Sequence, residues 1–204
     1  MKQTRHLFVI GTALTLALVA AVPASAAAQN ADLVRILITT DLGDIEVDVD
    51  TARAPRTAAK FLRYVDAGHY DGGQFHRTVT MQNQPDNDVR IEVIQASVNG
   101  DRSDDGFGTI PLERTTVTGL AHVDGAISMA RGAPDSASSS FFFCIGDQPS
   151  LDFGGDRNPD GQGFAAFGRV VAGMDVVRRV QQQPADGQRL EPPIRINSVS
   201  RADR

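Results

Sequence analysis

The heptapeptide "GQFHRTV" at residues 73–79 sets a phenylalanine, a histidine and an arginine in a row at the start of a strand-like segment. Side chains along a strand point alternately to its two faces, which predicts Phe75 and Arg77 on one face and His76 on the other. Two interpretations of Arg77 are open from these residues alone. It is either a solvated arginine on an edge strand or an arginine held on a rigid wall, beside an aromatic ring, facing a cleft.

Segments on both sides of this heptapeptide read as short strands. A turn at residues 41–43 joins "LVRILITT" to the alternating "GDIEVDVD" in a predicted hairpin, and further strand-like segments are "VRIEVIQAS", "GAISMA", "FFFCIG", "FAAFGRVV" and "PIRINSVS". Helical spacing appears in "MDVVRRVQQQ" and in the stretch between Pro55 and Gly68, which suit a first turn and a stop. Many short strands and two helices predict a closed or nearly closed antiparallel barrel capped by the helices.

Residues 1–28 are expected to be a signal peptide that is removed, which leaves residues 29–204 as one domain. Basic residues precede an apolar run, Pro23 ends the run, and small residues follow it. A membrane-spanning helix is the competing interpretation, but the run is shorter than the ~18 residues that such a helix usually needs. Cleavage after Ala26 or Ala28 fits the small-residue rule, and the protein is expected to be exported, either to a periplasm or out of the cell.

Charge and cysteine content exclude several classes of partner. The formal net charge of −5 becomes −7 once the leader with its Lys2 and Arg5 is removed. An acidic chain disfavours nucleic acid and anionic membrane surfaces, so we expect neither a nucleic-acid partner nor stable membrane association after cleavage, and we expect a monomer. Cys144 is the single cysteine, so an internal disulfide is impossible, and its place in "FFFCI" predicts a small buried side chain.

The order of these segments resembles the cyclophilin family of peptidyl-prolyl isomerases. The resemblance lies in the opening hairpin, "FLRYVDAGHYDG", "FHRTV", "VIQAS", "ISMARGAPDSASSSFFFCIGDQPSLD" and "FAAFGRVVAGMDVV". It implies an eight-stranded antiparallel barrel with two α-helices, and a groove on the outer wall that binds proline-containing polypeptides. The implied activity is rotation about X-Pro peptide bonds, without a covalent intermediate, cofactor or metal, in the folding of exported proteins.

The resemblance also implies roles for individual residues. Arg77 matches the catalytic arginine of the family, and Gln95 matches its substrate-binding glutamine. The predicted apolar lining of the proline pocket is Phe75, Val93, Ala130, Phe142, Leu151 and Phe164. At least two of the aromatic residues in "FFFCI" are expected to belong to the barrel core instead.

Four positions depart from the family pattern. Ser140 replaces a frequent glutamine, Arg131 a frequent asparagine, Phe164 a frequent histidine, and Ser150 a tryptophan. The first three of these departures keep an alternative open, namely a catalytically weak module on the same fold that binds proline peptides or acts as a chaperone. Retention of Arg77, Gln95 and Phe142 favours the enzyme.

Several other patterns favour a structural interpretation over a functional one. His76 is expected to be structural, and the serines at residues 136–140 are expected to form a loop because no nucleophile motif surrounds them. "DRNPDGQGFAAF" begins like a calcium loop, but Phe167 stands where a bidentate glutamate is required. The segment "TMQNQPDNDVR" after "FHRTV" is longer than the usual turn of the family, and its effect is left open.

Overall fold

The computed structural model describes residues 32–202, apart from the side chains of residues 103–105. The predicted signal peptide lies outside the described residues. The strands are β1 (Leu33–Thr40), β2 (Gly43–Asp50), β3 (Gln74–Val79), β4 (Val93–Ser97), β5 (Ala126–Met129), β6 (Phe141–Cys144), β7 (Ala165–Ala172), β8 (Ala185–Asp186) and β9 (Arg189–Arg201). The helices are α1 (Pro55–Asp66), α2 (Thr115–Thr118) and α3 (Met174–Gln181), with 3₁₀ turns at Gly100–Asp105 and Pro149–Leu151.

Eight of the strands close into an antiparallel barrel. Their order around the wall is β1-β2-β7-β5-β6-β4-β3-β9, and pairing of β9 with β1 closes the circle. The short β8 forms a hairpin with the start of β9 at the edge of the barrel. The predicted hairpin of β1 and β2 is present, with Thr40 opposite Gly43. The predicted barrel of eight strands is therefore confirmed.

The helices α1 and α3 cover opposite ends of the barrel. Helix α1 follows the last residues of β2, whereas α3 lies against the turn that begins β2, where Arg179 donates to the carbonyl of Leu42 at 2.7 Å. Each helix buries one apolar face in the same core, for example through Phe61 of α1 and Val177 of α3, which are both fully buried. No helix among residues 32–202 is long and apolar enough to cross a membrane.

Two local predictions differ from the structure. A third helix, the single turn α2, contains only threonine and valine, whose weak helix propensity and short run gave no periodic signal. Strand β4 begins at Val93, although alternation suggested a start at Val89. The carboxamide of Gln84 accepts from the N–H of Ile91 at 3.3 Å and donates to its carbonyl at 2.8 Å, so the backbone of Ile91 cannot join the strand ladder.

A β-bulge separates Phe75 from Arg77. On β3, the three residues 75–77 lie opposite only two residues of β4, Ala96 and Gln95. The extra residue on β3 changes the face toward which the residues after it point. Phe75 is fully buried in the barrel core, where its ring meets that of Phe141, whereas Arg77 is half-buried on the outer wall. The predictions that Phe75 shares a face with Arg77 and lines the proline pocket are therefore wrong.

Candidate active site

A second apolar cluster lies on the outer wall of the barrel, separate from the core. Alternation along β6 turns Phe141 and Phe143 into the core and leaves Phe142 outside, as expected for a run of three aromatic residues. We call this group the outer cluster; its buried members are Val79, Ile91, Val93, Ala126, Phe142, Cys144 and Leu151, with Ala130 and Phe164 packed against them. Five of the six residues predicted to line the pocket are thus together, and Phe75 is the exception.

Arg77 lies beside this cluster and is held by two glutamine side chains. Its Nη1 donates to Oε1 of Gln95 at 2.9 Å, while Nε and Nη2 both donate to Oε1 of Gln188, at 2.9 and 2.7 Å. A guanidinium carries five N–H donors, so two of them have no acceptor among the described residues. The side chain is fixed on the wall, and part of its donor capacity remains for a ligand.

The charge of Arg77 is not compensated by a carboxylate within the described part of the chain. Both of its partners are neutral amides. Burial, and then the positive charge of Arg157, lowers the pKa of Arg77, but an arginine starts so far above neutral pH that it stays protonated. Arg77 therefore presents a permanently charged donor on the outer wall of the barrel.

His76 lies nearer to Arg77 than strand alternation predicts. His76, Arg77, Gln188 and Arg189 line one shallow depression, so the expectation that His76 faces away from Arg77 is wrong. Burial lowers the pKa of His76, the backbone of Gln74 opposes this shift, and the charge of Arg77 adds to it. His76 is therefore neutral at pH 7 and adds no charge to the site.

A buried histidine supports the aromatic floor of the outer cluster. The ring of His122 stacks on Phe142 with centroids 6.0 Å apart and planes 12° apart. Its Nδ1 lies 2.7 Å from Oδ1 of Asp152, and its Nε2 lies 2.9 Å from Oγ of Ser128. Since Ser128 is fully buried, this chain of polar groups cannot act on a substrate, and it fixes the ring against which Phe142 packs.

Two of the departures from the family pattern contact each other at the rim. The guanidinium of Arg131 lies 5.1 Å from the ring centroid of Phe164 and donates to the carbonyl of Gly163 at 2.7 Å. Its Nη1 and Nη2 also reach the two carboxylate oxygens of Asp160, at 2.8 and 2.9 Å. The side chain of Arg131 is thus turned toward the loop of residues 152–164, where Asp160 compensates its charge.

Residues that sequence reasoning missed fall into two groups. Val79 lies two residues after Arg77 on the same strand face, so alternation could have identified it as a member of the outer cluster. Ile91 joins the cluster from an irregular loop, and Gln188 reaches Arg77 from 111 positions away in the chain. No local pattern indicates either of these contacts.

Comparison with known proteins gives one consistent family. Residues 35–201 match the family described as "Cyclophilin type peptidyl-prolyl cis-trans isomerase/CLD". The chain is 34% identical to peptidyl-prolyl cis-trans isomerase A of Dickeya dadantii over 82% of this chain and 80% of that protein, and 32% identical to the isomerase cyp18 of Streptomyces antibioticus over 71% and 81%. A cyclophilin-type isomerase crystal structure from Cryptosporidium parvum shares the fold, with a TM-score of 0.67, 18% identity and coverage of 84% of this chain and 99% of that one.

Proposed function

The chain belongs to the cyclophilin-type peptidyl-prolyl cis-trans isomerase family, and on that basis we propose that Arg77 is the catalytic residue and the outer cluster is the proline pocket. The observation that carries this proposal is the set of contacts that Arg77 makes. Arg77 is anchored on the barrel wall by two amide oxygens, keeps two donors without acceptors among the described residues, and lies beside an apolar surface that suits a proline ring.

Rotation about an X-Pro bond needs neither a nucleophile nor a metal. The amide resists rotation by ~18–20 kcal/mol because the nitrogen lone pair is delocalised into the carbonyl group. As the bond twists, the lone pair returns to the nitrogen, which then becomes an acceptor. An N–H of Arg77 can bond to that nitrogen in the twisted state and not in the planar one, so the interaction lowers the barrier selectively.

The neutral partners of Arg77 suit this role. A fixed donor of this kind typically contributes about 3–4 kcal/mol to stabilisation of a transition state. Gln95 and Gln188 hold the guanidinium without cancelling its charge, whereas a carboxylate in either place would form an ion pair with it. The field of Arg77 therefore stays directed at the substrate.

The outer cluster supplies affinity for the ground state. Val93, Phe142 and Leu151 are almost fully buried and form the floor, while Ala130 and Phe164 are half-buried at the rim, where a proline ring can pack. Gln95 is half-buried beside Arg77 and can also bond to the peptide carbonyl. Binding and catalysis thus depend on different side chains.

The substrates are proteins that are exported by the same route, which the leader-like residues 1–28 support. The mature protein begins at Ala27 or Gln29 and assists folding in a periplasm or outside the cell. Mass spectrometry of the exported protein gives the N-terminal residue directly. Recovery of protein with Met1 intact would contradict this part of the proposal.

A protease-coupled assay on a short X-Pro peptide tests the catalytic role. The mature protein should accelerate isomerisation, and Arg77→Ala should lower turnover at least about ten-fold while the peptide binds with similar affinity. Arg77→Lys should recover only part of the rate, because an ammonium keeps the charge but lacks the planar fork. Arg56→Ala, an exposed position on α1, serves as the matched control. Wild-type protein that binds the peptide without accelerating its isomerisation would instead support the binding module.

A further inference from the structure

Gln188 accepts two of the three hydrogen bonds that hold Arg77, and its side chain has only one productive orientation. Its Oε1 accepts from Nε and Nη2 of Arg77, and its Nε2 donates to the backbone carbonyl of Asn83 at 3.1 Å. If the carboxamide were turned over, its NH₂ group would face the guanidinium and its oxygen would face a carbonyl. The contact with Asn83 therefore decides which atom of Gln188 meets Arg77.

Asn83 also fixes the turn that carries Gln188. Its Nδ2 donates to the carbonyl of Gly187 and to that of Thr78, both at 3.0 Å, and its Oδ1 accepts from the N–H of Thr80 at 2.8 Å. The backbone of Gln188 in turn accepts from the N–H of Thr78 at 2.9 Å. One asparagine thus ties the β8–β9 hairpin to the end of β3, two residues beyond Arg77.

Asn83 belongs to a loop, residues 80–92, that joins the antiparallel neighbours β3 and β4. A hairpin connection needs only about two to five residues, so the loop contains more chain than the connection requires. It is nevertheless ordered by the buried Gln84, whose Nε2 donates to the carbonyl groups of Thr80 and Ile91 at 2.7 and 2.8 Å. Arg157 attaches it to the neighbouring loop by donating to Oε1 of Gln84 at 2.9 Å and to the carbonyl of Val89 at 2.6 Å.

We propose that Gln188 is a positioning residue for Arg77, and that the loop of residues 80–92, through Asn83, fixes the position and orientation of the Gln188 side chain. This proposal rests on the catalytic role of Arg77 given above. Gln95 alone would hold the guanidinium at one nitrogen and leave it free to pivot. The second acceptor, on the opposite edge, fixes the plane of the fork and so the direction of the two remaining donors.

The physical gain is preorganisation. A donor that must first be oriented contributes less to the transition state than one already aimed at the position where the lone pair develops. Misplacement by about 1 Å can cost two orders of magnitude in rate. The loop therefore affects turnover through Gln188 although Asn83 does not itself contact Arg77.

The test uses Gln188→Leu and Asn83→Ala, each made in the wild-type mature protein and in Arg77→Ala. In the wild-type background, Gln188→Leu should lower turnover about ten-fold and Asn83→Ala by a smaller factor, with the dissociation constant of the peptide changed less than about two-fold. In the Arg77→Ala background, neither change should alter the residual rate, because no guanidinium is left to position. Gln182→Leu, at an exposed position of the same residue type, is the control.

A spectroscopic readout separates positioning from loss of structure. The Nε–H proton of Arg77 should exchange with water faster in Gln188→Leu and Asn83→Ala than in wild-type protein, since both changes weaken the acceptor on that edge. A purely structural role would lower the melting temperature and reduce the residual rate in the Arg77→Ala background as well. Additive losses of rate would therefore overturn the proposal.

The possible failures are distinguishable. If Arg77→Ala is slow but Gln188→Leu turns over like wild-type protein, the positioning role is wrong and the proposed function stands. If Arg77→Ala itself retains the wild-type rate, the catalytic assignment is wrong and the positioning role falls with it. Wild-type turnover in Asn83→Ala together with slow turnover in Gln188→Leu would remove the loop from the proposal and overturn its second half.

Discussion

Replacing Phe142 by leucine should weaken binding of a proline peptide, whereas the same replacement at Phe143 should leave binding unchanged. The two residues are adjacent on β6 and are both buried, with exposed fractions of 4% and 0%. They point to opposite faces of the barrel wall: Phe142 belongs to the outer cluster and Phe143 to the core. The pair thus compares one substitution inside and outside the pocket.

The cost in stability should be similar at both positions. Truncation of a buried phenylalanine to alanine removes about 3–5 kcal/mol from the free energy of unfolding. Leucine keeps about half of the carbons beyond Cβ, so each leucine variant should lose about 2 kcal/mol. At Phe142 the stacked His122 is held by Asp152 and Ser128 and cannot fill the space, so little relaxation is expected. A domain of ordinary stability stays folded after such a loss.

The cost in affinity should differ between the two variants. Removal of the whole Phe142 ring should weaken binding by about 2–4 kcal/mol, and the leucine variant should lose about half of that, which is roughly a ten-fold rise in the dissociation constant. Phe143→Leu removes no surface that a peptide can reach, so its dissociation constant should change less than about two-fold. Turnover of bound peptide should change little in either variant, because Arg77 is untouched.

Urea unfolding measures the stability of both variants, and titration of a labelled X-Pro peptide measures affinity under conditions where each is folded. Equal losses of affinity in Phe142→Leu and Phe143→Leu would mean that binding follows stability and not the pocket. Unchanged affinity in Phe142→Leu, with the expected loss of stability, would show that the outer cluster is not where the proline ring binds.

Three further outcomes are expected. The ion pair with Arg131 lowers the pKa of Asp160 from 3.8 to about 2, so the stabilising effect of this pair is complete above pH 4 and is lost as the pH falls toward 2. The melting temperature of Asp160→Asn should therefore fall less than that of wild-type protein between pH 4 and pH 2. An equal fall in both proteins would contradict the role of this ion pair. Cyclosporin should inhibit weakly, because Ser150 offers little contact area where the family pattern has tryptophan. Nanomolar inhibition would show that Ser150 does not occupy the position of that tryptophan. Dialysis against a chelator should leave activity intact, and restoration by zinc or calcium after a loss would overturn this expectation.

The architecture of the barrel was predictable because its elements depend on local pattern. Period-two alternation identified the hairpin of β1 and β2, and helical spacing identified α1 and α3. The start of β4 was not predictable in the same way. The sequence "VRIEVIQAS" alternates from Val89 onward, but the side chain of Gln84 occupies the backbone groups of Ile91 and delays the strand. A tertiary hydrogen bond overrides the local preference there.

The face of Phe75 could not be predicted because nothing in "FHR" indicates a bulge. Glycine often marks such an irregularity, and this tripeptide has none. Strict alternation therefore placed Phe75 in the groove, while the extra residue turns it into the core and leaves Arg77 outside. The same irregularity explains why His76 lies beside Arg77 in one depression. Of the predicted neighbours of Arg77, Gln95 is in contact with it and Phe75 is not on its face of the wall.

The partners of Arg77 differ in chemistry from those of the arginines that form ion pairs, and the sequence does not show this difference. Arg35 on β1 is bound to the carboxylates of Asp48 and Glu46, and Arg131 is bound to Asp160. Those ion pairs join strands or loops and compensate the charge of each guanidinium. Arg77 is held just as firmly, but by amide oxygens, so its position is fixed while its charge stays available. This combination is what the proposed catalytic role of Arg77 requires, and one of the two amides that provide it comes from a turn 111 residues away.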